Sequence, residues 1–169
     1  MQESLDLIVN RIDDLATRSC SAAWRSAPDG TWFLRTGHDL RLHLFRRGTM
    51  LLLSQSERGA EEELYFETSA VGAMERFMVN ELCMILRGRN GNSFLVVARP
   101  PLTEQSVAPG FTLTREGHLA KLSEDSTGLI CRGEFTDLIK FSYIAKMSLV
   151  EIQDAYIAPR GLPPFFPLR

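Results

Sequence analysis

Apolar positions at the start of the chain recur at helical spacing. Leu5, Ile8, Ile12 and Leu15 stand three and four residues apart, with Glu3, Asp6, Asp13 and Arg18 mostly on the other side. The pattern predicts a helix over residues 3–18 with one apolar face, and its acidic start suits the helix dipole. The period then changes. Five short stretches between residues 21 and 68 (22–25, 31–36, 40–45, 49–55 and 63–68) read as strands. Leu40, Leu42 and Leu44 alternate with Arg41, His43 and Phe45, which gives one strand a plainly apolar face. The run at 50–53 is unbroken apolar and fits a central strand covered on both faces. Pro28-Asp29-Gly30, Gly37-His38-Asp39 and Arg46-Arg47-Gly48 supply turns, so the segment reads as an antiparallel meander.

Helical spacing returns at residues 70–87, where Val71, Met74, Met78, Leu82 and Ile85 form a stripe. Thr68 or Ser69 is placed to cap its start and Gly88 to end it. The expectation is that Val71, Met74, Met78 and Leu82 bury against Leu40, Leu42 and Leu44. A turn at 89–92 and a short strand at 94–98 lead to a connector at 99–109, which carries Pro100, Pro101 and Pro109. Three more strands follow at 111–115, 118–123 and 128–132. Thr136 is read as the cap of a helix reaching about residue 145. Ser148 and Glu151 form a capping box for a last helix bearing Leu149, Ile152 and Tyr156. The tail from Gly161 on holds three prolines, Phe165 and Phe166, and is expected to pack on its own domain. The whole reads as an α+β fold, an antiparallel β-meander packed against helices, with a smaller C-terminal strand-and-helix segment. One domain is expected over residues 1–169, with the connector internal to it.

Composition narrows the function classes. The chain has 169 residues, 44% hydrophobic and 24% charged, which suits an ordinary globular core. The net charge of −2 lacks the basic balance of a nucleic-acid binder. Only Lys121, Lys140 and Lys146 are lysines, so nearly all the positive charge sits on arginine forks suited to carboxylate or phosphate; genome base composition explains such a bias as readily as an interface does. Cys20, Cys83 and Cys131 are odd in number and lack metal-ligand spacing, which argues against a disulfide framework and against zinc. Reduced thiols and a start without a positively charged leader point to the cytoplasm. No apolar run is long enough to span a bilayer.

Catalytic chemistry finds little support. The dinucleotide, phosphate-loop, nucleophile-elbow and zinc-protease motifs are all missing from the sequence. Cys131 with His118 is a conceivable thiol and base, but Cys131 stands beside Ile130 in an apolar strand, the setting of an inert thiol. Asp13 and Asp14 are adjacent on a helix and point to different sides. No catalytic residue, cofactor or metal is expected. The polar feature of most interest is the loop at 56–63, Ser-Glu-Arg-Gly-Ala-Glu-Glu-Glu, between two strands. It reads either as a solvated hairpin loop or as a recognition loop on a rigid scaffold.

Three stretches together carry a resemblance. Ser56-Glu57-Arg58-Gly59, Val107-Ala108-Pro109-Gly110-Phe111-Thr112-Leu113 and Leu149-Val150-Glu151-Ile152-Gln153-Asp154-Ala155-Tyr156 stand in an order that resembles the sixty-first numbered family of bacterial immunity proteins. That family belongs to polymorphic toxin systems and is similar to the antitoxins of necrotizing-toxin type NAD glycohydrolases. The resemblance runs from about Trp32 to Phe165. It implies a non-enzymatic cytoplasmic protein that binds a cognate secreted toxin and blocks its active site. It assigns no contact residues. Charge and loop position nominate Glu57, Arg58, Glu61 and Glu62 as partner-binding, because carboxylates suit a cleft built to hold a pyrophosphate. The alternative is a cytoplasmic chaperone of a secreted effector, which would offer an apolar groove to an extended client. A small hydrolase is the third reading, and it needs a polar cluster that the sequence does not display.

Overall fold

The computed structural model describes residues 3–36, 40–58, 60–97 and 100–167, so the turn expected at 37–39, with His38, and Gly59 of the charged loop lie outside the described residues. Helix α1 (Glu3–Cys20) is followed by strands β1 (Arg25–Ser26), β2 (Trp32–Arg35), β3 (Leu40–Arg47), β4 (Met50–Glu57) and β5 (Glu63–Thr68). Helix α2 (Val71–Arg89) and the short β6 (Leu95–Val96) come next. A 3-10 turn (Glu104–Ser106) leads into β7 (Phe111–Glu116), β8 (Leu119–Glu124) and β9 (Ile130–Gly133). Helices α3 (Phe135–Ile144) and α4 (Leu149–Ile157) and the short β10 (Phe166–Pro167) complete the described chain.

The meander and the C-terminal strands form one eight-stranded sheet in the order β1-β2-β3-β4-β5-β9-β8-β7, antiparallel throughout. The seam is the β5–β9 pair, with Phe66 opposite Gly133, Glu67 opposite Arg132 and Thr68 opposite Cys131. A Cβ at Gly133 would stand 2.7 Å from the Tyr65 carbonyl oxygen, so the strands meet there because this residue has no side chain. The C-terminal strands therefore extend the meander's own sheet. β4 and β5 shift register between Leu53 and Ser54, which leaves Tyr65 as an extra residue in β5. The tail packs back as expected: β10 pairs with β6, and Phe165 is buried against Tyr156 with ring centroids 4.7 Å apart.

The helices cover one face. Alternate strand residues, among them Leu34, Leu42, Leu44, Leu53, Phe66, Leu113 and Leu122, join helix side chains in one contiguous core. At its centre Phe66 stacks on Phe77 at 4.0 Å and meets Phe141 edge-on. α1 lies over β2 and β3, α2 over β5, and α3 over β7, β8 and β9, while α4 packs on the outside of α2. Met74, Met78 and Leu82 are buried as expected, and Val71 is partly so. The helix lying over Leu42 and Leu44, however, is α1. Enclosed by α1, α4 and the sheet, α2 buries residues on most of its circumference, including Glu75, Asn80, Glu81 and Arg87.

Helix boundaries differ from the sequence reading at several points. α1 ends at Cys20, and the N-cap of α2 is Ala70, with no side-chain cap, rather than Thr68 or Ser69. α2 runs through Gly88, because Arg87 and Arg89 anchor its last turn to carbonyls of neighbouring segments, and the left-handed residue is Gly91. α3 begins at Phe135 with Glu134 as its N-cap, so Thr136 lies inside the helix. Phe135 is held there under the Arg115 guanidinium, 3.5 Å from its ring centroid. The Ser148–Glu151 capping box forms as read, with the Glu151 amide donating to Ser148 Oγ at 3.2 Å and the Ser148 amide to Glu151 Oε2 at 2.7 Å.

Candidate functional site

With the helices on one face, the opposite face of the sheet lies open, and strand alternation decides what it displays. At the β2–β3 end it displays aromatic rings and arginines. Phe33, His43 and Phe45 form a row, with ring centroids 4.1 Å apart for the first pair and 4.7 Å for the second. The Arg41 and Arg47 guanidinium groups each lie 6.0 Å from a ring of that row, Phe33 and Phe45 respectively. Leu52 of β4, opposite Phe45, fills the base of the row and is buried. At the β5–β7 end the face is ionic and internally paired: Arg132 stands 3.8 Å from Glu67 and 3.1 Å from Glu116.

The four nominated loop residues divide. Glu57 is the last residue of β4, paired opposite Leu40, so it and Ser56 belong to the strand. Arg58 turns the chain with φ of 52°, is exposed, and lies 3.8 Å from the Glu57 carboxylate. Glu61 is exposed. Glu62 folds back onto the sheet: its Oε2 accepts from Ser54 Oγ at 2.8 Å and meets His43 Nδ1 at 3.0 Å. The His43 hydrogen bond holds the Glu62 carboxyl below its ordinary value, with Ser54 and the Arg41 charge acting in the same direction. Glu62 is thus a buttress for the aromatic row. Serine, histidine and carboxylate meet here, but Ser54 donates to the carboxylate rather than to the imidazole, so the order of a nucleophile–base–orienter set is not built.

Two hollows adjoin this row. One, of about 460 Å³, is lined by Ala22, Ala23, Arg25, Phe33, Arg35 and Arg41 among others. The next, of about 630 Å³, includes Arg35, Arg41, Ser56, Arg58 and Glu62 in its lining. They share Arg35 and Arg41, and all four arginines are exposed. Strand register assembles them: Arg25 is opposite Phe33, Phe33 opposite His43, and Arg35 opposite Arg41. The alternation of Arg41 with apolar neighbours was visible in the sequence; the register that sets it against Arg35 was not.

Cys131 and His118 are kept apart. Cys131 is buried in β9 opposite Leu122, whereas His118 sits exposed in the β7–β8 turn, four residues from Leu122 and so roughly 13 Å along the strand. Burial pushes the Cys131 thiol up to about 12, which keeps it protonated and unreactive. Away from the open face, a polar network sits in the core. Tyr65 donates to the Glu81 carboxylate, Asn80 donates to Glu81 at 2.9 Å, and Tyr156 donates to Asn80 at 2.7 Å. Among the described residues, no group of three or more His, Cys, Asp or Glu side chains is placed to hold a metal ion, and no helix is long and apolar enough to cross a membrane.

The family model described as Immunity protein 61 matches residues 15–164. The chain belongs to the immunity protein 61 family. The match takes in the last turns of α1, all eight strands of the main sheet and helices α2 to α4, so it covers both the core and the open face. It begins at residue 15, ahead of Trp32, where the resemblance of the three stretches begins. The solved structure of Rv3902c from M. tuberculosis has the same fold as this immunity protein 61 family member. The two have a TM-score of 0.79 and 17% sequence identity, over 93% of this chain and 92% of that one. No curated protein matches the chain in sequence. Membership in the immunity protein 61 family supports an antitoxin role and the binding of a cognate toxin.

Proposed function

We propose that this protein is a cytoplasmic antitoxin that binds an NAD-degrading toxin and blocks its nucleotide cleft, without catalysing a reaction itself. The family match over residues 15–164 carries the reading. The open sheet face is its physical counterpart. An inhibitor needs a rigid surface with aromatic and arginine side chains at its centre, since these dominate binding energy at protein interfaces. The Phe33–His43–Phe45 row on a helix-backed sheet offers one. Glu57, Arg58 and Glu61 are exposed charges at and just after the end of β4, suited to setting the association rate, and Glu62 hydrogen-bonds the row's His43.

Co-expression tests this. Cells making the toxin encoded beside this chain's gene are expected to survive when the wild-type chain is present. Combined Glu57→Lys and Glu61→Lys substitution is expected to slow association and flatten its salt dependence while leaving the folded chain intact, because exposed charges act mainly on encounter. A wild-type chain that neither protects the cell nor binds the toxin contradicts the proposal.

A further inference from the structure

Arg35 and Arg41 are directly opposite each other on adjacent strands. Like charges at such a cross-strand pair oppose folding. Arg25 is brought to the same groove through its pairing with Phe33, and Arg58 closes the other end. Among the described residues, none of Arg25, Arg35 and Arg41 forms an ion pair. The carboxylate that lines the groove, Glu62, is already committed to His43 and Ser54, and the Glu57 carboxylate lies against Arg58 at 3.8 Å. Among the described residues, four guanidinium groups thus line a groove whose one lining carboxylate is Glu62, on a chain whose net charge is −2. An arrangement that opposes folding persists when a bound partner offsets it. The guanidinium fork fits a carboxylate bidentately, and the apolar base provided by Ala22, Ala23 and Phe33 suits the aliphatic stem of an acidic side chain.

We propose that the joined hollows carrying Arg25, Arg35, Arg41 and Arg58 form a cradle for an extended acidic segment of the cognate toxin, with carboxylates of that segment seated between Arg35 and Arg41. The proposal rests on the antitoxin reading for the identity of the partner. The chemistry of the cradle rests on the groove alone.

Arg35→Glu separates this from a structural role. The substitution converts a repulsive pair into an attractive one, so the variant chain is expected to melt no lower than wild type while its binding falls. Two probes are used. The first is a fluorescein-labelled twelve-residue peptide of alternating Glu and Ser, measured by anisotropy at about 20 mM and about 300 mM NaCl. The second is the toxin domain encoded beside the gene. Wild type is expected to bind the peptide at low salt with Kd below about 1 mM, and Arg35→Glu to weaken both peptide and toxin binding by about tenfold or more. Arg160→Glu, an exposed site beyond α4, serves as the control and is expected to leave both unchanged. A wild-type chain that ignores the peptide, or an Arg35→Glu chain that binds it as wild type does, overturns the cradle. Displacement of the peptide by micromolar ADP-ribose also overturns it, in favour of a small phosphate ligand. Binding of the peptide without binding of the toxin domain overturns the antitoxin reading instead, so the two failures are distinguishable.

Discussion

Glu81 is enclosed between α2 and the sheet, and burial, aided by the Asp137 charge, pushes its carboxyl from an ordinary 4.5 up to about 7. Below both values the folded and unfolded chains each hold the proton. Between them the unfolded chain releases it while the folded chain keeps it, so this group's contribution to stability falls as pH rises across that window. Glu81→Gln removes the titration, and its urea midpoint is expected to vary less than that of wild type between about pH 5 and about pH 8. An equal pH slope in the two proteins contradicts the assignment. At this scale the sequence was a partial guide. His43 and Glu62 were each visible as polar residues near a strand, yet their contact depends on how the loop after β4 folds back, which no local pattern encodes. Glu62 therefore read as a recognition charge alone, whereas it is an exposed carboxylate that also hydrogen-bonds His43 and Ser54.

Arg87 shows how one side chain ends one element and fixes another. It is buried, and its guanidinium donates to the carbonyls of Tyr156 at 2.7 Å, Ala158 at 2.8 Å and Pro159 at 2.7 Å, with a further bond to Ser93 at 2.6 Å. The first three acceptors lie at and just beyond the C-terminal end of α4, where helix carbonyls lack partners of their own. Arg87→Met keeps much of the volume and removes every donor. It is expected to cost about 3 kcal/mol or more in urea unfolding, because several buried carbonyls lose their partner together. A loss below about 0.5 kcal/mol contradicts the clamp. The sequence presented Arg87 as an ordinary basic residue in a last helical turn, and Gly88 beside it as a stop. The helix continues because these long-range bonds outweigh the modest cost of a glycine inside it. Reading and structure agree at the Ser148–Glu151 box and the 63–68 strand, where the signal was local and nothing distant competed.

At the scale of the whole molecule, alternation along β3 foretold a two-faced sheet with leucines inward, but not the pairing of β5 with β9 that makes the sheet continuous. That seam needs Gly133 against the Tyr65 backbone, a close approach between residues far apart in the chain. Continuity matters to the proposed function, because one broad sheet backed on one face by helices leaves its other face as a rigid platform. The platform is divided in charge: arginines and aromatic rings at the β1–β3 end, self-paired ions at the β5–β7 end. The arginine-rich composition was legible from the start, and its gathering at one end of one face was not. The proposed antitoxin neutralises an NAD-degrading toxin by direct contact. The most direct test is titration of the purified toxin domain with the purified chain while NAD consumption is followed. Hydrolysis is expected to fall linearly to background at equimolar chain, as a tight stoichiometric inhibitor requires. NAD consumption that continues unchanged at a large molar excess of the chain contradicts it.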